Sequence, residues 1–308
     1  MSGSRFRDAS GKFRWRSGKR WLRWRARKMW PNVRALVQMP VLSVLSRVSS
    51  RPLIDRYNSS VVSLTSYKAR LRTVHLTIES IGRGQARPGR IVLWVDPDVV
   101  IDDLPSSLQR LAGRGLEIAK SPSDYGPHKK YFPYVMSEAP HTAPLVTADD
   151  DCIYPRRWLR SLQEAASGSN DVVCFRAHRI KFDAAGRIAP YNSWAPVTNR
   201  SASVLNFASG VSGTAYPPAF LDELEKLGDA FLSTCPKADD VWLHYVAVRN
   251  GRRIRQVGRR AVRFPDLLST QRTALHRFNV AQKGNDPQIA STYSADVIDT
   301  LRTADAAS

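Results

Sequence analysis

From Ser59 onward, short apolar runs alternate with segments of helical spacing. Val61-Val62-Ser63-Leu64 reads as a buried strand, and Ala69–Ile81 follows with Leu71, Val74, Ile78 and Ile81 on one helical face. The pattern then predicts strands over Ile91–Val95, Leu116–Ala119 and Pro144–Thr147, with helices over Pro105–Leu111 and Tyr131–Ser137 between them. Further on it predicts a helix over Arg156–Ala166, a strand over Val172–His178 and a hairpin at Asp183-Ala184-Ala185-Gly186. Helices over Pro218–Leu227 and Asp239–Arg249 and a strand over Arg252–Val257 complete the series, and no internal repeat is present. Strand–helix alternation implies right-handed crossovers and an α/β fold with a mainly parallel central sheet flanked by helices. Ligands of such sheets bind beyond the carboxyl ends of the strands, so the loops after Leu64, Val95, Lys120 and Thr147 are expected around one crevice.

Charge divides the chain differently from hydropathy. Residues 1–58 carry fifteen Lys/Arg against Asp8 and Asp55, a net of +13 out of +20 for all 308 residues. We therefore divide the chain into a basic arm (1–58), an α/β body (59–257) and a C-terminal extension (258–308), whose final Thr303–Ser308 is expected to fray. In the arm, arginines interleave with Phe6, Phe13, Trp15, Trp21, Trp24 and Trp30, and a helix is expected from Arg20 to Trp30. Trp favours the headgroup region and Arg favours anionic lipid, which suggests an anchor on a membrane surface. A solvated tail or an arm that binds RNA or single-stranded DNA are the competing readings. The most apolar stretch, Val33 to Val48, is interrupted by Arg34, Gln38, Pro40 and Arg47 and is too broken to span a bilayer. No secretory signal is legible either, so a cytoplasmic location at the inner face of the membrane is expected. Three scattered cysteines suit neither a disulfide framework nor a zinc site, and read as small buried residues.

The acid-free strand Leu145-Val146-Thr147 runs into Asp149, Asp150 and Asp151. Adjacent like charges repel, and a divalent cation with hard oxygen ligands, Mg²⁺ or Mn²⁺, would neutralise them and bridge a diphosphate. Asp149 and Asp151 can face the same side, with Asp151 the first choice as direct ligand. A solvated turn, or Asp151 capping the following helix, is the alternative.

Four blocks together resemble the GT-A glycosyltransferases, in particular the bacterial polysaccharide-type (family 2-like) branch. They are Ser63–Tyr67 with Arg70-Leu71; Asp124–Lys130; Thr147–Asp151 with Tyr154-Pro155 and Trp158-Leu159; and Ala238–Trp242. The resemblance covers about residues 59–257. It implies a GT-A, Rossmann-like fold and a metal-dependent, inverting transfer of a sugar from a nucleotide-sugar donor to a glycan or lipid-linked acceptor. By it, Asp149 and Asp151 correspond to the DXD motif that holds the metal, with Asp150 beside them at the diphosphate. Thr65, Tyr67 and Arg70 would contact the nucleotide, and Asp124 and Lys130 would line the donor pocket. Asp240, or else Asp239, would be the base that activates the acceptor hydroxyl.

Each block also has a plainer reading. Lys129-Lys130 would be a solvated pair, Asp239-Asp240 a helix cap favoured by the helix dipole, and Ser209–Gly213 an ordinary turn rather than a loop approaching sugar. His276 lies where some relatives supply a histidine to the metal, whereas His128 and His244 read as structural or solvent-facing. Two other functions compete: a nucleotidyltransferase acting on sugar phosphates, and a non-enzymatic membrane- or RNA-binding protein. The first usually carries a Gly-rich loop after its first strand, and Ser63 to Arg70 contains no Gly. A degenerate transferase that binds donor without turnover is a third. No nucleic-acid partner is expected.

Overall fold

The computed structural model describes residues 37–267 and 284–308, together with the backbone of two short antiparallel strands, β1 (Arg5–Arg7) and β2 (Phe13–Trp15). The helix expected at Arg20–Trp30, and His276, lie outside the described residues. The body is built on β3 (Val61–Thr65), β4 (Arg90–Val95), β5 (Leu116–Lys120), β6 (Leu145–Ala148) and β7 (Val172–Cys174). Then come β8 (Ala177–Arg179), β9 (Ala195–Pro196), β10 (Asn206–Ala208), β11 (Thr214–Tyr216) and β12 (Ile254–Gln256). Seven of these form one sheet in the order β12-β7-β11-β6-β3-β4-β5, while β10-β8-β9 form a second, smaller one. All neighbours in the large sheet are parallel except β11, which runs antiparallel to both β6 and β7.

The helices are α1 (residues 37–48), α2 (Val74–Gly82), α3 (Ser106–Ala112), α4 (Phe132–Ser137) and α5 (Trp158–Ala166). They continue with α6 (Pro218–Leu227), α7 (Phe231–Thr234), α8 (Asp239–Arg249), α9 (Asn285–Thr292) and α10 (Ala295–Ala306). The central strands are buried on both faces, which explains their near-continuous apolar runs. One face of the sheet packs Leu64, Leu93 and Val146 against Ile78, Leu108 and Trp158 of α2, α3 and α5. The other packs Val92, Trp94 and Tyr216 against Phe220, Trp242 and Leu301 of α6, α8 and α10. The result is three layers, helices on sheet on helices.

Four local expectations are revised. The helix read over Ala69–Ile81 is a separate 3-10 turn (Lys68–Arg70) followed by α2, because Arg70 turns toward the β6 loop. The strand read over Val172–His178 breaks at Phe175-Arg176 and feeds two different sheets; the Gln256 side-chain oxygen accepts the Ala177 N–H at the break. The antiparallel strand β11 went unread, since three residues carry no usable periodicity. The tail expected to fray over Thr303–Ser308 is instead helical to Ala306, anchored by buried Val297 and Leu301. No helix among the described residues is long and apolar enough to cross a membrane. Helix α1 docks through Leu42, with Met39, onto Leu76, Ile153 and Leu267.

Candidate active site

The three aspartates after β6 have different surroundings. Asp150 is the buried one. Its carboxylate accepts hydrogen bonds from Ser66 Oγ at 2.7 Å and from the Arg70 guanidinium at 2.6 Å, and its carbonyl accepts one from Thr77 Oγ1 at 3.0 Å. Arg70 also reaches the Asp151 carboxylate at 3.0 Å, while its Nε donates to the Tyr67 hydroxyl at 3.1 Å. Asp149 accepts from Lys130 Nζ at 2.6 Å and from the Ser212 backbone N–H at 3.2 Å. Thus Arg70 and Tyr67, expected at the nucleotide, brace the acidic loop in this structure. Thr65, at the tip of β3, donates its hydroxyl to the Trp94 carbonyl at 3.1 Å.

Asp239 and Asp240 open α8, half-buried and closely surrounded by protein while still reachable by water from the crevice. Asp240 Oδ1 accepts the Gly210 backbone N–H at 2.7 Å. Loop 209–213 therefore ties the two acidic groups together, Gly210 to Asp240 and Ser212 to Asp149. The small residues of this loop serve backbone approach to carboxylates. Ser212 holds a left-handed φ of 75°, and its carbonyl accepts the Trp158 indole N–H at 2.9 Å. A Cβ at Gly210 would stand 2.7 Å from Asp240 Oδ1. Gly210→Ala should therefore displace the carboxylate and, since misplacing a reacting group by about 1 Å can cost roughly a hundredfold, lower turnover by about that factor at unchanged melting temperature. Steady-state kinetics beside a melting curve checks this.

Lys130 sits between the two groups. Burial works against its charge, but Asp149, Asp239 and Asp240 outweigh burial and hold the ammonium protonated. Burial raises the pKa of Asp239, with Lys130 opposing and Asp149 adding to the rise. Burial and then Asp239 raise that of Asp240. Burial, reinforced by Asp149 and Asp150 and opposed by Arg70, pushes Asp151 up to about 6.

Lys129 and Lys130 are not a solvated pair. Lys129 turns the other way, to Asp96 and to Asp124, the latter at 2.7 Å. Asp124 is three-quarters exposed and tied to Lys129 and the Gly126 N–H, so it does not share a partner with Lys130. Ion pairs now join all four expected loops: Arg70 links those after β3 and β6, Lys129 those after β4 and β5, and Lys130 those after β5 and β6. His128 is buried and stacked on Phe231, and His244 is buried against Tyr293; both are structural. The three cysteines are buried and unpaired.

Asp266 is the residue the sequence did not reveal. The segment before the undescribed stretch folds back on the acidic loop, pairing Cys152 with Asp266 as an antiparallel bridge, and Leu267 N–H donates to the Asp151 carbonyl at 2.6 Å. Ligand atoms of Asp151, Cys152 and Asp266 lie within 4.8 Å of one another. Burial and the surrounding carboxylates keep the Cys152 thiol protonated, so the oxygens are the donors available. Only a lone Asp beyond the last expected strand signalled it. Six carboxylates (Asp149, Asp150, Asp151, Asp239, Asp240, Asp266) face four cations, Arg70, Lys130, Arg176 and Arg263, the last paired with Asp266 at 2.7 Å. The surplus of negative charge and its hard oxygens fit a divalent ion of the Mg²⁺ or Mn²⁺ kind.

No protein-family profile and no curated protein sequence matches the chain. Solved structures similar to it include the mannosyltransferase PcManGT of Pyrobaculum calidifontis in complex with GDP-Man and Mn²⁺, at 14% identity, covering 91% of this chain and 78% of that one, with a TM-score of 0.49. Staphylococcus aureus TarS 1–349 in complex with UDP is similar at 14% identity over 64% of this chain and 57% of that one, TM-score 0.42. So is a 4-diphosphocytidyl-2C-methyl-D-erythritol synthase of Anaerococcus prevotii, at 13% identity over 77% and 98%, TM-score 0.47. These likenesses are too remote to speak for a substrate, and the strand order stands on its own. The fold is a mainly parallel α/β sheet with helices on both faces, the architecture expected from the sequence. In this sheet the acidic loop follows β6, beside the single antiparallel strand β11, and α8 delivers the second acidic pair from across the crevice.

Proposed function

We propose that the chain is a metal-dependent, inverting glycosyltransferase that moves a sugar from a nucleotide-sugar donor to a glycan or lipid-linked acceptor. One observation carries the reading: Asp149–Asp151 and Asp239-Asp240, ninety residues apart in sequence, lie on either side of Lys130, which pairs with Asp149, and are tied together by loop 209–213 in one crevice beyond the carboxyl ends of parallel strands. A fold alone does not require two acidic groups to flank one lysine. Asp151 and Asp149 would hold the Mn²⁺ or Mg²⁺, with Asp266 at the edge of the same group. When bound, the ion neutralises the diphosphate leaving group. Arg70 keeps the acidic loop in place through Asp150. Lys130 offers a point charge to phosphate. Thr65 and Tyr67 stand on the β3 side, where the nucleotide would lie.

Asp240 would take the proton of the acceptor hydroxyl as that oxygen bonds to the anomeric carbon. The bond from that carbon to the diphosphate oxygen breaks, and the nucleoside diphosphate leaves with the electron pair. A carboxylate with a raised pKa is the better base for this step. The Gly210 N–H aims it. We place the enzyme on the cytoplasmic face of the membrane, held by its basic arm, where lipid-linked acceptors are made.

A panel of nucleotide sugars, each tested for Mn²⁺-dependent protection against thermal unfolding, checks the reading. One cognate donor at about 100 times its Kd should stabilise the native state by about 2.7 kcal/mol, and Asp151→Asn should abolish the effect. Protection by a nucleoside triphosphate with sugar phosphate, and by no nucleotide sugar, would instead identify a nucleotidyltransferase. Because a ligating carboxyl must be ionised, Mn²⁺ affinity should fall as pH drops below about 6, the Asp151 pKa, approaching about tenfold per pH unit. Calorimetric titration at several pH values measures this, and a flat profile would remove Asp151 from the ligand set.

A further inference from the structure

On α1, Val37, Val41, Val44 and Val48 are 66, 47, 55 and 72% exposed, spaced to fall on one face of the helix. The opposite face is buried through Leu42. On the flank between valines and body lies Arg47, at the rim of a cleft of about 790 Å³ between α1, the start of α2 and α3. Arg72 and Arg110 also line it, with Asp103 the one carboxylate among its lining residues. Among the described residues no acid pairs with any of the three arginines; Arg110 makes only a long hydrogen bond to the Ser46 carbonyl, 3.4 Å. His75 Nδ1 is buried there without a hydrogen-bond partner. Burial lowers the imidazole's pKa against the pull of the Arg72 carbonyl, and the Arg110 and Arg47 guanidiniums lower it further, which puts those two charges near the ring, while Arg72 lines the same cleft.

Three arginines lining one cleft, with no acid partner among the described residues, call for a phosphate-type anion. The valine stripe beside it calls for an apolar cover. An anionic phospholipid bilayer supplies both at one interface. Charge complementarity extends N-terminally, where residues 1–36 hold twelve Lys/Arg and four Trp against the single acid Asp8. A narrow stripe of valines, without large aromatic anchors of its own, suits a headgroup–acyl boundary better than a protein hot spot.

We propose that the cleft formed by Arg47, Arg72 and Arg110 binds the phosphate of an anionic phospholipid while the Val37–Val48 face of α1 beds into the same membrane surface. Leu42 and Met39 couple that helix to Ile153 and Leu267, next to the acidic loop, so docking sets the crevice at a fixed height above the lipid. The inference deepens the membrane placement proposed above and does not depend on the transfer chemistry.

The test is flotation of the full chain with vesicles of phosphatidylcholine alone or mixed with phosphatidylglycerol. The wild type should float only with the mixed vesicles. With each arginine near the surface worth about fivefold in partition, Arg72→Gln with Arg110→Gln should cut binding by roughly twenty-five-fold. Val44→Ser with Val48→Ser should cut it by on the order of tenfold. Arg187→Gln with Arg302→Gln removes the same charge near α10, on the far side of the sheet, and should leave binding within about twofold, since only local contacts count at physiological salt. Melting temperature and Mn²⁺-dependent donor protection should be unchanged in all three pairs, which separates failure here from failure of the transferase reading. Equal losses in the control pair, or undiminished flotation of either α1-side pair, would overturn the site. Inorganic phosphate that raises the melting temperature through Arg72 and Arg110 without any change in flotation would identify a soluble anion instead. A concentration-dependent dimer abolished by the valine pair, with flotation intact, would identify a second copy of the chain as the cover.

Discussion

Asp240→Asn should lower kcat on the cognate donor and acceptor by about 10²–10⁴-fold, the usual contribution of a general base, while donor protection by Mn²⁺ stays as in the wild type. The amide is isosteric, and its oxygen can still accept the Gly210 N–H seen at 2.7 Å. What it lacks is the capacity to take a proton. Because burial and Asp239 raise the Asp240 pKa, the wild-type rate should rise with pH as this carboxyl ionises and then level off. The variant should lose that limb of the profile. Asp239→Asn provides the comparison: it lies near the same lysine without an ion pair to it and lacks the Gly210 hydrogen bond, and should cost less. If Asp240→Asn turned over normally and Asp239→Asn did not, the two roles would have to be exchanged. Normal turnover in both would end the assignment of a base to α8.

Arg70→Leu should destabilise the fold by about 3–5 kcal/mol, as expected when one partner of a buried ion pair is removed and the other charge stays behind. Asp150 is the group left behind, with 8% of its side chain exposed and Ser66 as its remaining side-chain donor. Burial already raises its pKa, and without Arg70 the rise would be larger. A carboxyl whose folded-state pKa exceeds its unfolded value contributes stability at low pH that is lost as pH rises through the folded value. The deficit of the variant should therefore shrink as the pH falls. Arg70→Lys should recover only part of the loss, since a single ammonium nitrogen cannot reach both carboxylates, as Nη1 does, and also donate to the Tyr67 hydroxyl, as Nε does. Urea unfolding at two pH values measures both statements. A deficit that does not change with pH would mean that Asp150 is not the charge Arg70 compensates.

The bracing role of Arg70 also changes how the acidic loop is understood. The sequence shows three adjacent aspartates, and repulsion among them asks for a cation. The structure supplies part of that charge from the protein itself, Arg70 for Asp150 and Asp151 and Lys130 for Asp149. What remains is smaller: Asp150 and Asp151 share the single charge of Arg70, and Asp151 is the member that lies beside Asp266, itself paired with Arg263. This division is why the middle aspartate, Asp150, reads best as a structural member of the loop and Asp151 as a ligand.

Much of the architecture was written locally. Strands β3, β4 and β6 announce themselves because both of their faces are buried, leaving runs with few polar residues, and α6 and α8 begin and end where their periodicity does. The acidic loop was legible for the same reason: charge placed directly after a buried strand is costly unless something uses it. What the sequence could not decide depends on contacts between distant segments. Strand β11 is three residues long and exists only because β6 and β7 flank it. Of two adjacent lysines, Lys129 turns to Asp96 and Lys130 to Asp149, a choice made by a short 3-10 turn and by which carboxylate each side chain can reach. Asp266 and the Gly210 N–H join the site by chain return from 114 and 30 residues away, and no local period records such a return. Residue patterns determined the layers and the strand tip that bears the acids; tertiary closure alone determined which charges face one another, because pairing energy depends on distance in space and the sequence fixes only distance along the chain.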